Sequence, residues 1–220
     1  MFKFEKLVFG DLGWGDEFLL ATFMTLLVSI MSMGLGLCLA IITVWAKILQ
    51  NRITRFLASF YTTIIRGVPE LLVIYLIFFG GNAVVMKVAK IFGYNGYIEL
   101  NALTIATIAI AVISATYSSE VLRAAYLSIS KGQIEAAKAL GMNRFSIFIK
   151  VLCPQVIRYA LPGIGNVWQI TLKDTSLISV TGLVEIMRQS RISSNVEHSP
   201  LTFLVTAAFL YLCLTTFSGK

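Results

Sequence analysis

The chain has 220 residues, of which 57% are hydrophobic and 13% charged, with a mean hydropathy of +0.83. Soluble domains are about 45–50% apolar and about 25% charged. The composition therefore excludes a water-soluble enzyme domain and leaves room for one membrane domain and little more.

The net charge of +7 is concentrated rather than spread. Lys47, Arg52 and Arg55 form a basic stretch with no acid, expected as a short loop. Between 123 and 158, Arg123, Lys131, Lys138, Arg144, Lys150 and Arg158 face a single acid, Glu135. Residues 1–17 carry two Lys against four acids, and 185–199 carry two Arg against two acids. Positive charge marks the cytoplasmic side of a membrane protein, so both basic segments belong there. The charge is read as topology and not as a nucleic-acid footprint.

A span needs about 20 mostly apolar residues. The first apolar run, 18–46, exceeds that length. It is also longer than a signal-peptide core, and no A-x-A-like site closes it, so it is expected to stay in the bilayer, tilted. Gly34 and Gly36 within it suit close helix contact. The second run, 56–81, is interrupted by Arg66, Pro69 and Glu70, and proline predicts a kink near 67–69. Residues 82–92, NAVVMKVAKIF, read as a short amphipathic helix at the outer interface. The third span covers 102–123 and carries Glu120 near its inner end. The fourth, 159–182, is broken in composition by Pro162, Gly163, Gly165, Lys173 and Asp174. The fifth starts at Leu201 and is short, 201–217. The fold class is all-α: a polytopic membrane protein of about five transmembrane helices, N-terminus outside, C-terminus inside.

Cys38, Cys153 and Cys213 lack metal-ligand spacing, and Cys38 and Cys213 are expected as small core residues. His198, the only histidine, falls in a polar connection and reads as a surface residue. No G-x-x-x-x-G-K-[ST] is present, so the chain carries no P-loop and cannot be an ATP-driven motor. It also lacks H-E-x-x-H and any Ser/His/Asp-like cluster.

The most informative polar stretch is 130–165. Ser130 and Gln133 fit a capping box, after which residues 131–140 favour helix with three Ala. Gly141 stands where a left-handed residue would stop that helix. An ordinary surface helix capping the bundle would have these features too. The pattern is more particular, however: Glu135-Ala136-Ala137, three residues, Gly141, nine residues, then Val151-Leu152-Cys153-Pro154. It resembles the cytoplasmic signature of bacterial ATP-binding cassette (ABC) importer permeases, EAA, three residues, Gly, nine residues, I-x-L-P, with Val for Ile and Cys for Leu. The resemblance extends over about 21–218. Arg66-Gly67-Val68-Pro69-Glu70-Leu71 looks like the R-G-[TV]-P-x-L element of polar amino acid permeases, and Leu161-Pro162-Gly163-Ile164-Gly165-Asn166 and Leu172-Lys173-Asp174-Thr175-Ser176-Leu177 look like two further elements. The nearest likeness is to histidine/lysine/arginine/ornithine permeases and their opine relatives.

That resemblance implies one transmembrane domain over 1–220 with its core at 18–218, in a bacterial inner membrane. It implies a homodimeric or heterodimeric permease, paired with ABC ATPase subunits and a periplasmic amino acid-binding protein. The chain itself would bind no cofactor, ATP being used by the ATPase. Glu135, Ala136, Ala137 and Gly141 would be the ATPase-coupling residues.

Arg66, Glu70, Lys173 and Asp174 fall inside the expected spans, where charges are costly and usually face a bundle interior or a water-filled path. Asp174 or Glu70 lining a path for a cationic amino acid is one reading; charge pairing that fixes helix packing is the other. Pro162 and its glycines allow either a gate or close helix packing. Two other classes are weighed: a truncated, non-transporting permease remnant, motivated by the short last span, and a channel or secondary transporter, which would leave the capped basic helix without a purpose.

Overall fold

A computed structural model describes residues 4–10, 13–49, 51–94, 96 and 101–219. Of the outer-segment charges counted above, Lys3 and Asp11 lie outside the described residues. Among the described residues the chain is helical and without strands. The long elements are α1 (Gly15–Ile48), α2 (Arg52–Gly67), α3 (Glu70–Ile91) and α4 (Ala102–Leu127). After the short α5 (Lys131–Ala139) and α6 (Arg144–Ile147) come α7 (Cys153–Asp174), α8 (Ile186–Glu197) and α9 (Pro200–Ser218). Five stretches are long and apolar enough to cross a membrane: Gly15–Ile48, Glu70–Ile91, Ala102–Leu127, Arg144–Thr181 and Pro200–Ser218. The expected number of spans stands, and the fifth is a 19-residue helix begun by Pro200 at its first turn.

α4 is the centre of the bundle. Ala106, Ala109, Ile110 and Ile113 form a core with Val28 of α1, Val73 and Ile74 of α3, and Ile178. Small residues let its neighbours approach closely. A Cβ on Gly36 would fall 2.1 Å from Ser114 Oγ, and one on Gly163 would fall 2.6 Å from Val121 Cγ1. Gly34 and Gly165 meet nothing within 4 Å, so only one glycine of each pair serves packing. At the other end of the molecule Phe18 of α1 stacks on Phe203 of α9, with ring centroids 6.1 Å apart.

Several expectations are corrected. The second span does not kink near Pro69 but breaks there: Val68 is extended (φ −107°, ψ 142°), and Pro69, whose ring cannot continue a helix, precedes the first residue of α3. Arg66 therefore ends a separate helix outside the crossing stretch. Residues 82–92 are no separate interfacial helix, because α3 runs on through Ile91. The fourth crossing is not broken at Pro162, which sits inside a continuous α7; regularity changes after Asp174, where a 3-10 segment, Thr175–Thr181, takes over. Lys47 is not on a loop: it lies in the last turn of α1 and is buried. Cys38 is exposed on α1 rather than in the core. His198 closes α8 in the left-handed region (φ 52°), exposed as expected.

Candidate functional site

α5 hangs between the end of α4 and the start of α7. Its C-terminus is stopped as Gly141 predicts. Gly141 has φ +76°, its N–H donates to Lys138 O (2.9 Å), and the Met142 N–H donates to Ala137 O (3.1 Å), which is the Schellman arrangement. The N-terminus differs from expectation: the Ser130 side chain makes no capping bond. Gln133, the other half of the expected box, is engaged elsewhere. Its side-chain oxygen accepts from Gln155 Nε2 at 2.7 Å. The amide of Gln155 also donates to Val151 O (2.8 Å), so this pair pins α5 to the first turn of α7.

The four residues singled out on this segment fall into two groups. Glu135 and Ala136 are exposed, whereas Ala137 is buried at 4% and holds the helix against its own chain. Gly141 is exposed, and its conformation is what matters. An outer surface of Glu135 and Ala136 over an inner anchor at Ala137 suits reception of a partner.

α4 carries two polar centres one turn apart. At Glu120 one carboxylate is held by two cations. Lys47 from α1, its side chain 4% exposed, pairs with Glu120 and donates to Thr62 Oγ1 of α2 (2.7 Å). Arg123 Nη1 lies 3.6 Å from the other Glu120 oxygen. α1 and α4 meet on this carboxylate, and α2 joins them through Lys47. Beside it a cavity of about 370 Å³ is lined by Thr62, Thr63, Arg66, Gly67 and Glu120.

At Tyr117 the balance differs. Its hydroxyl donates to Glu70 Oε1 at 2.8 Å, and the Arg66 guanidinium lies over its ring, 5.5 Å from the centroid. Asp174, 8% exposed at the end of α7, lies against Glu70, carboxyl to carboxyl. Three of the four charges that the sequence had suggested for the spans, Arg66, Glu70 and Asp174, therefore meet around one tyrosine, Arg66 from just outside the crossing stretch. Lys173 is exposed beside them, since adjacent residues on a helix point about 100° apart. Two carboxyls in contact hold a proton between them, and a cationic group brought to the pair can take that proton's place.

Sequence reasoning missed Tyr117 and the Lys47–Glu120 pair. The signal for Tyr117 was present: a large polar aromatic inside Thr116-Tyr117-Ser118-Ser119, in a span otherwise built of small and β-branched residues.

The pattern of one family, described as "Binding-protein-dependent transport system inner membrane component", matches residues 32–219. The chain belongs to that family. It is a permease subunit of an ABC importer, embedded in the membrane. It is 46% identical to the nopaline transport system permease protein NocQ of Agrobacterium fabrum, over 97% of this chain and 91% of that one. It is 44% identical to the octopine transport system permease protein OccQ of Agrobacterium tumefaciens, over 96% and 90%. The histidine/lysine/arginine/ornithine permease protein HisQ of Escherichia coli is 34% identical over 94% and 90%. Among solved structures, an amino acid ABC transporter with histidines superposes with a TM-score of 0.80 at 28% identity, covering 94% of this chain and 91% of that one. The methionine transporter MetNI shares the fold at 0.65 and 20% identity, covering 93% and 94%. The resemblance read from the signature residues therefore holds for the family.

Proposed function

We propose that this permease forms half of the translocation path for an amino acid with a cationic or otherwise polar side chain: arginine, histidine, lysine, ornithine or an opine. The observation that carries the reading is the meeting of Glu70 and Asp174 beside Arg66 and Tyr117. An acidic pair offers a counter-charge to a cationic side chain, and Arg66 offers one to a carboxylate. The names of the relatives, given for nopaline, octopine and histidine/lysine/arginine/ornithine transport, agree with that chemistry.

The remaining roles follow from the same reading. Residues 1–220 act as one transmembrane domain, with the core at 18–218, in a bacterial inner membrane. A second permease subunit, identical or not, completes the path. A periplasmic binding protein delivers the substrate. An ATPase subunit docks on α5 through Glu135 and Ala136, with Ala137 and Gly141 fixing the helix; ATP is its cofactor and not this chain's. Force applied to α5 reaches α7 through the Gln133–Gln155 bond, and α7 carries Asp174 at its far end.

Uptake of radiolabelled arginine, histidine and glutamine into vesicles holding the complete transporter tests this, comparing native Glu135 with Glu135→Arg. Loss of ATP-dependent uptake with the complex still assembled is the expected outcome. Equal uptake in both removes the coupling role. A preference for glutamine over both basic amino acids removes the cationic assignment and leaves a neutral polar substrate.

A further inference from the structure

Arg66 and Glu70 stand on either side of the helix break at Val68-Pro69, close in sequence and opposite in charge. Among the described residues they form no ion pair. Tyr117 separates them. Its ring takes the face of the Arg66 guanidinium, an arrangement that attracts a cation without neutralising it. Its hydroxyl holds the Glu70 carboxylate by a charge-assisted bond. Glu70 is thereby turned toward Asp174 of α7 instead of back across the break to Arg66. Were Arg66 and Glu70 to pair, Glu70 would leave Asp174 and the acidic site would be reduced to a single carboxyl.

We propose that Tyr117 is the positioning residue that sets this permease's preference for a cationic side chain. It holds Glu70 on Asp174 and denies it to Arg66. The inference rests on reading Glu70 and Asp174 as the pair that meets the substrate's cation. Tyr117 is suited to the task because it projects from α4, the most enclosed helix, whose neighbours Thr116 and Ser118 are wholly buried. The ring thus stands on a fixed support while the break between α2 and α3 lies against it.

The test is equilibrium binding to the assembled permease–ATPase complex in lipid nanodiscs. The binding protein is omitted, so that its own preference does not set the result. Radiolabelled arginine is compared with citrulline, a neutral analogue of nearly the same shape, and Kd values are normalised to assembled complex. Tyr117→Phe keeps the ring and removes the hydroxyl; it is expected to weaken arginine binding threefold to tenfold, about the net effect of one ordinary hydrogen bond because Tyr117 acts through Glu70, and to leave citrulline within twofold. Glu70→Gln is expected to weaken arginine by about tenfold, again sparing citrulline. If Tyr117 acts through Glu70, the double variant binds arginine no more weakly than Glu70→Gln alone.

An unchanged arginine-to-citrulline ratio in Glu70→Gln overturns the acidic-pair reading and the role of Tyr117 with it. A lowered ratio in Glu70→Gln but not in Tyr117→Phe overturns the Tyr117 proposal alone, as does a double variant whose losses multiply. Should Tyr117→Phe not assemble, Tyr117→Leu, which also lacks the hydroxyl, is the second variant. A ratio lowered toward that of Glu70→Gln supports the proposal; an unchanged ratio overturns it.

Discussion

Glu120 and Tyr117 are three residues apart on α4, yet the centres they organise are built on opposite plans. The first pairs one buried cation with one carboxylate and adds a threonine hydroxyl and a second cation. Its carboxylate is supplied with cations from within the chain, and Lys47 ties α1 to both α2 and α4. The second sets two carboxylates side by side and keeps the nearest guanidinium on the far face of an aromatic ring. A carboxylate that its own chain supplies with cations belongs to the fold. An unmatched one costs stability and is retained where an incoming ligand supplies the missing charge.

The difference can be broken from either side. The largest effect is expected for Lys47→Met. It leaves Glu120 without its main counter-charge in a mostly enclosed site, costing about 2–3 kcal/mol, toward the lower end for a buried pair because Glu120 keeps some solvent contact. The thermal midpoint of the solubilised complex falls and assembled complex is lost; exchanging the pair, Lys47→Glu with Glu120→Lys, restores some of it. Asp174→Asn has the opposite signature. It relieves like-charge repulsion, so the midpoint holds or rises, while arginine uptake falls by about tenfold as a charged partner is lost. Matching losses of stability in both variants would erase the distinction between the centres. The smallest effect sharpens the first centre only: Thr62→Val removes one acceptor from Lys47 and costs about 1 kcal/mol, with the ratio of arginine to citrulline binding unchanged. A shifted ratio would mean that the two centres act as one.

How far the sequence could be read depended on the range of the interaction. The spans followed from composition, and the stop of α5 followed from Gly141, a single backbone requirement. Local reasoning failed where a distant partner intervened. Ser130 and Gln133 had the spacing of a capping box, but Gln155 lies 22 residues further on and takes the Gln133 oxygen. Lys47 looked like a loop cation because its carboxylate, Glu120, is 73 residues away. Arg66, Glu70 and Asp174 were each recognisable as charges in an apolar chain, but their meeting was not, since it depends on how α3, α4 and α7 pack. Pro69 and Pro162 show the same limit. The first ends a helix and the second is absorbed within one, and the interruptions in sequence around both are alike.

The hydrogen bond between the Gln133 and Gln155 side chains also has a mechanical side. It fastens a short crosspiece, α5, to the base of a 22-residue rod, α7. Such a rod is about 33 Å long at the helical rise. A rotation of about 4° at its foot would displace its tip, and Asp174 with it, by about 2 Å, enough to separate a pair of touching carboxylates or to bring them together. A hinge at Pro162 would dissipate that motion halfway. The unbroken course of α7 through Pro162 means that a small stroke at the cytoplasmic face arrives enlarged at the acidic pair.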